Sequence, residues 1–122
     1  MEIKGIVVRG KGAGKKIGFP TANVALPEDW SLPYGVYAAD VRRNGEVYRA
    51  VLNVGLHPTL PEGAPAMEVH LIGFTGDLYG QEIHLTLGAF IRAETRFSSV
   101  KSLRAQIRRD VADALRMSQT RS

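Results

Sequence analysis

The chain has 122 residues, 44% hydrophobic and 23% charged, a balance that excludes a disordered chain and suits a single packed core. It has no cysteine, which removes disulfides, thiolate metal sites and cysteine nucleophiles together. The formal net charge of +4 suits an anionic partner, whether nucleotide phosphates or nucleic acid, and with no membrane-length apolar run and no signal-peptide start the expected address is the cytoplasm.

In chain order, Gly5 to Arg9 is a β-branched run that reads as a strand and feeds into a glycine-rich stretch. Gly35 to Arg43 and Glu46 to Val54 flank Asn44-Gly45, the strongest short hairpin signal, because both central residues of a type I′ turn need positive φ. Ala66 to Ile72 alternates, with Met67, Val69 and Leu71 on one face and Glu68, His70 and Ile72 on the other. After turn residues at Gly76-Asp77 and Tyr79-Gly80, Glu82 to Leu87 alternates again, and Phe90 and Ile91 extend this strand past Gly88, where a bulge is expected. From Val100, apolar residues recur at Leu103, Ile107, Val111 and Leu115, the stripe of an amphipathic helix with Ser98 or Ser99 as N-cap. Closely spaced strands followed by one helix predict a small antiparallel barrel with the helix packed on it. The segments Pro27 to Pro33 and Pro58 to Pro65 read as loops, the usual place for lids over a site.

The chemistry concentrates in "GKGAGKKIGFPTANV", Gly10 to Val24. Four glycines and three lysines fall within nine residues there, yet the spacing fits neither a phosphate-binding Walker loop nor the dinucleotide fingerprint, and Pro20 stops a helix from starting. A strand entering such a turn can aim successive backbone N–H groups at an anion; glycine and lysine alone leave a phosphate cradle and a basic hairpin tip both open. Thr21 and Asn23 stand two apart, so in an extended segment they face one side, where hydroxyl and amide oxygens can serve magnesium; local turn bonding explains them as well.

The stretch "GIVVRGKGAGKKIGFPTANV" resembles the opening motif of riboflavin kinases, freestanding or as the C-terminal module of bifunctional bacterial FAD synthetases. The similarity continues through "GVYAADV", "YRAVLNVGLHPTL" and "MEVHLIGFTGDLYGQEIHLTLGAFIRAETRFSSVKSLRAQIRRD", over nearly the whole chain in family order. It implies an all-β fold in the main, a six-stranded antiparallel Greek-key barrel over about 1–97 with a C-terminal α-helix over about 99–117, forming one kinase domain across 1–122. It also implies transfer of the γ-phosphoryl of ATP to the 5′-hydroxyl of riboflavin, giving FMN and ADP, with Mg2+ or another divalent cation. The corresponding nucleotide-binding residues are Gly12, Gly14, Lys15, Lys16, Gly18 and Pro20, with Asn53 and Tyr79 as further candidates. Thr21 and Asn23 would hold the metal beside the nucleotide, Glu68 would be the catalytic carboxylate at the flavin, and Arg92, Glu94 and Phe97 belong to the loop covering the flavin.

Each assignment has a plainer rival. A strand glutamate is more often solvated, Asn53 suits a turn before Gly55, and Tyr79 suits a half-buried barrel aromatic. Arg92 could pair structurally with Glu94, and Phe97 could anchor the helix in the core. His57, His70 and His84 lack the fixed spacing of a metal site. Two other functions remain open: a catalytically silent flavin or nucleotide sensor, and a basic barrel for nucleic acid, although the basic residues of the last helix lack interleaved aromatics. The kinase reading expects ATP and riboflavin as partners, no nucleic acid and no membrane, and a monomer unless the module is tethered to an adenylyltransferase domain. With no such domain in these residues, the product expected is FMN and not FAD.

Overall fold

A computed structural model describes residues 1–8, 21–56, 65–95 and 97–119. Its elements are β1 (Glu2–Val8), β2 (Ala22–Ala25), β3 (Gly35–Arg43), β4 (Glu46–Leu56), β5 (Pro65–Leu71), β6 (Glu82–Ala93) and helix α1 (Val100–Gln119). The strands close into a barrel in the order β1-β2-β5-β4-β3-β6, and every neighbouring pair is antiparallel. The β3-β4-β5 meander is flanked by β6 and β2, and β1 closes the ring, which is the expected Greek-key barrel with its C-terminal helix.

Strand alternation decides what lies inside. Val24, Tyr37, Ala39, Val41, Leu52, Val54, Met67, Val69, Ile83 and Leu85 point inward and fill the barrel as one apolar cluster. Six strands leave an interior that side chains of this size occupy completely, so the barrel centre is core and not pocket. Burial raises the Tyr37 phenol above its ordinary value of 10.0, and the protonated hydroxyl donates to the Pro33 carbonyl at 2.6 Å.

The β3–β4 hairpin forms as expected, with Asn44 at φ 50° and Gly45 at φ 79°. The first strand begins earlier than its β-branched run suggests, at Glu2, because Glu2 and Ile3 pair with Thr86 and Leu85 of β6. Strand β2 falls on the segment read only as extended. The irregularity expected after Gly88 is present as two register shifts between β3 and β6, so that Tyr37 faces Phe90 while Val36 faces Arg92. One shift sets Ile91 and Arg92, adjacent in sequence, toward the same helix-covered side.

Helix α1 lies on the outer surface of β3, β4 and β6. Ser99 is its N-cap: the hydroxyl accepts from the Ser102 amide at 3.1 Å and the carbonyl accepts from Leu103 at 3.1 Å. The buried face differs from the expected stripe. Val100 is exposed, and the deepest positions are Asp110 and Ala114. Ala114, with Val111 and Met117, packs over Val36, Ala38 and Val51, where small side chains on both sides let helix and sheet approach closely. Asp110 is buried for a different reason, its two bonds from Arg92 of β6.

Candidate functional site

The ladder registers bring the sequence candidates onto one line. Asn23 of β2 faces Glu68 of β5, Glu68 faces Asn53 of β4, Asn53 faces Val36 of β3, and Val36 faces Arg92 of β6. Their neighbours Val24, Met67 and Val54 point inward, so this transverse row lies on the outer face of the barrel. At one end Val8, the last residue of β1, faces Asn23.

Thr21 joins the row from the start of β2: its hydroxyl donates to Glu68 Oε2 at 3.4 Å. Asn23 is 6% exposed, and its Oδ1 is buried without a hydrogen-bond partner among the described residues. Asp40 Oδ1 and Arg49 Nε share that state elsewhere, whereas Asn23 stands directly opposite a carboxylate that the Thr21 hydroxyl also reaches. A buried amide oxygen without a partner costs free energy that a ligand can recover. A hydroxyl and an amide oxygen are hard-oxygen donors, the chemistry that fits a divalent cation such as magnesium, and the carboxylate beside them adds negative charge.

Tyr79 lies across β1 from this group. Its turn is closed by the Asp77 side chain, which accepts from the Tyr79 amide at 2.9 Å, and is tied to the barrel by Gly80 donating to the Val7 carbonyl at 2.9 Å. Tyr79 is half exposed beside the end of β1, where the glycine-rich stretch begins. The nucleotide-binding candidates Gly12, Gly14, Lys15, Lys16, Gly18 and Pro20, and the segment from Pro58 to Ala64 expected to be a loop, lie outside the described residues.

Arg92 does not pair with Glu94. Its Nε and Nη2 donate to the two carboxylate oxygens of Asp110 at 2.9 and 2.7 Å, and Nη1 donates to the Ala93 carbonyl at 3.2 Å. Glu94 instead crosses to β4, where its carboxylate lies against Gly55; a Cβ at that position would collide with it. Phe97 is half-buried, with the Arg92 guanidinium 5.7 Å above its ring. The structure therefore gathers Thr21, Asn23, Glu68 and Asn53, sets Glu94 against Gly55, two residues along β4 from Asn53, and holds Arg92 and Phe97 together at the far end of the row.

The family model for riboflavin kinase matches residues 1–118. The chain belongs to the riboflavin kinase family. It is 43% identical over 118 residues to the bifunctional riboflavin kinase/FMN adenylyltransferase of Bacillus subtilis, covering 93% of this chain and 37% of that protein. It thus spans just over a third of that curated relative. Among solved structures, riboflavin kinase from Trypanosoma brucei aligns with a TM-score of 0.69 and 24% identity over 98% of this chain and 80% of its own, a likeness of fold. A protein described as a macrolide-efflux protein from Streptococcus pneumoniae aligns with a TM-score of 0.82 and 32% identity over 99% of this chain and 39% of its own.

Within this riboflavin kinase fold, sequence reasoning passed over Asp110 and Gly55. An acid beside Ile107, Val111 and Ala114 on a helix was the available signal, since a buried charge requires a partner. Gly55 gave no comparable signal, because its role depends on where Glu94 returns.

Proposed function

We propose that this chain is an ATP:riboflavin 5′-phosphotransferase acting on the outer-face row. The observation that carries the reading is the convergence of Thr21, Asn23 and Glu68, with the Thr21 hydroxyl 3.4 Å from the carboxylate and Asn23 directly opposite it. Phosphoryl transfer asks the protein mainly for positioning and charge neutralisation, together with one base near the attacking hydroxyl.

Glu68 takes the proton of the riboflavin 5′-hydroxyl as that oxygen forms its bond to the γ-phosphorus, and the bond from phosphorus to the β–γ bridging oxygen breaks to release ADP. A strand flanked on both sides is a rigid mount for such a base. Thr21 and Asn23 would hold the divalent cation that, when bound, neutralises phosphate oxygens of ATP. Asn53 lines the far side of Glu68, Glu94 and the Arg92–Phe97 pair border the flavin, and Tyr79 borders the nucleotide. Gly12, Gly14, Lys15, Lys16 and Gly18 supply the phosphate cradle, and Pro20 borders the nucleotide beside it.

The chain acts as one kinase module across 1–122, as a monomer or tethered to an adenylyltransferase domain, in the cytoplasm. Among the described residues no helix is long and apolar enough to cross a membrane. The test is product analysis after mixing the protein with riboflavin, ATP and magnesium, beside an EDTA control. FMN formed only with metal is the expected result. Flavin binding without FMN, with other divalent metals and nucleotides tried, would replace the kinase by a silent sensor.

A further inference from the structure

Asp110 sits in the middle of α1 with 1% of its surface exposed, at a position where a helix packed on a barrel ordinarily carries an apolar side chain. Both its oxygens are committed to Arg92, and Oδ1 also accepts from Gln106 Nε2 at 3.0 Å. Replacing a buried ion pair by apolar residues of similar volume is often neutral or stabilising, so stability alone is a weak reason for such a pair. A bidentate pair provides direction: the planar guanidinium is held in one orientation by two parallel bonds. Three of the five guanidinium N–H groups are used in the bonds to Asp110 and Ala93, which leaves two on a side chain still 20% exposed.

The strand is shaped to meet this contact. The register shift between Phe90 and Arg92 brings Ile91 into the helix-covered apolar cluster and Arg92 onto Asp110. Immediately after Arg92 the chain leaves β6 through Glu94, whose carboxylate lies on Gly55, and Phe97, whose ring lies under the guanidinium. Resting on the kinase reading, we propose that Asp110 is a positioning residue: through Arg92 it fixes the segment from Arg92 to Phe97 against the flavin end of the outer-face row. Helix α1 thereby acts as part of the active site without touching substrate.

The test is a double-mutant cycle with Asp110→Asn, Arg92→Lys and both together, using the full chain. Ala114→Gly serves as a control for helix destabilisation at a site buried in the same face. Asp110→Asn is expected to raise the riboflavin KM about tenfold with the ATP KM within twofold. The double variant is expected to match Arg92→Lys in riboflavin KM, because Asp110 acts only through Arg92. Ala114→Gly is expected to lower the melting temperature and leave both KM values within twofold. Should Asp110→Asn fail to fold, Arg92→Lys carries the test, since it keeps the charge and loses the bidentate geometry; an unchanged riboflavin KM there overturns the proposal. Additive effects, or an Asp110→Asn KM equal to wild type, also overturn it. Wild-type FMN formation separates the two readings: its absence removes the kinase reading and this proposal with it, whereas its presence with a flat cycle removes only this proposal.

Discussion

Along β2, β5 and β4, Val24, Met67 and Val54 face one another inside the barrel, and one residue away Asn23, Glu68 and Asn53 face one another outside it. The inner row is apolar and at most 1% exposed, whereas the outer row carries every oxygen donor proposed for chemistry on these three strands. The same backbone holds both, so the core stiffens the site without sharing side chains with it. On the proposed assignment, a period of two separates stability from activity by a single step along the chain.

Substitutions on the two rows should therefore fail differently. Glu68→Gln should lower turnover by about 10²–10⁴-fold, the range for losing a general base, with the melting temperature nearly unchanged. Met67→Ala, at a site with no exposure, should destabilise by about 2–5 kcal/mol while kcat per folded molecule holds, measured by urea unfolding beside steady-state assays. Asn23→Ala should raise the magnesium concentration needed for half-maximal rate about tenfold, equivalent to ~1.5 kcal/mol for a contact to a charged group. Ser99→Ala removes the helix N-cap and should cost about 1 kcal/mol; if α1 supports the flavin end through Asp110, the cost should appear in stability and not in KM. The smallest effect belongs to Asp113→Asn. Its exposed pair with Arg116 at 2.7 Å should contribute less than ~1 kcal/mol and leave activity unchanged, in contrast to Arg92–Asp110 on the same helix.

How much was legible in the sequence follows the range of the forces involved. Asn44-Gly45 names its turn because positive φ is a property of those two residues, and the alternation around Met67 and Glu68 assigns faces because it is local. The neighbours of Glu68 are not local. That Asn23 and Asn53 flank it depends on strands 45 and 15 residues away meeting in one register. The motif resemblance nominated Thr21, Asn23 and Glu68 without saying that the hydroxyl reaches the carboxylate. The rival pairing of Arg92 with nearby Glu94 does not form: Arg92 reaches Asp110, 18 residues on, because the β6 bulges turn it under the helix and Gly55 makes room for Glu94 elsewhere. The helix stripe was read too evenly for a related reason: apolar periodicity marks the side that packs, and a paired acid at Asp110 shifted its centre.

The most direct test of the division between the two rows is single-turnover FMN formation by Glu68→Gln, at riboflavin and ATP concentrations where fluorescence quenching shows the same flavin occupancy as wild type. The expected result is equal occupancy with FMN formation slowed at least a hundredfold. FMN formed at the wild-type rate by a fully occupied Glu68→Gln protein would contradict the assignment of the outer row as the site of chemistry.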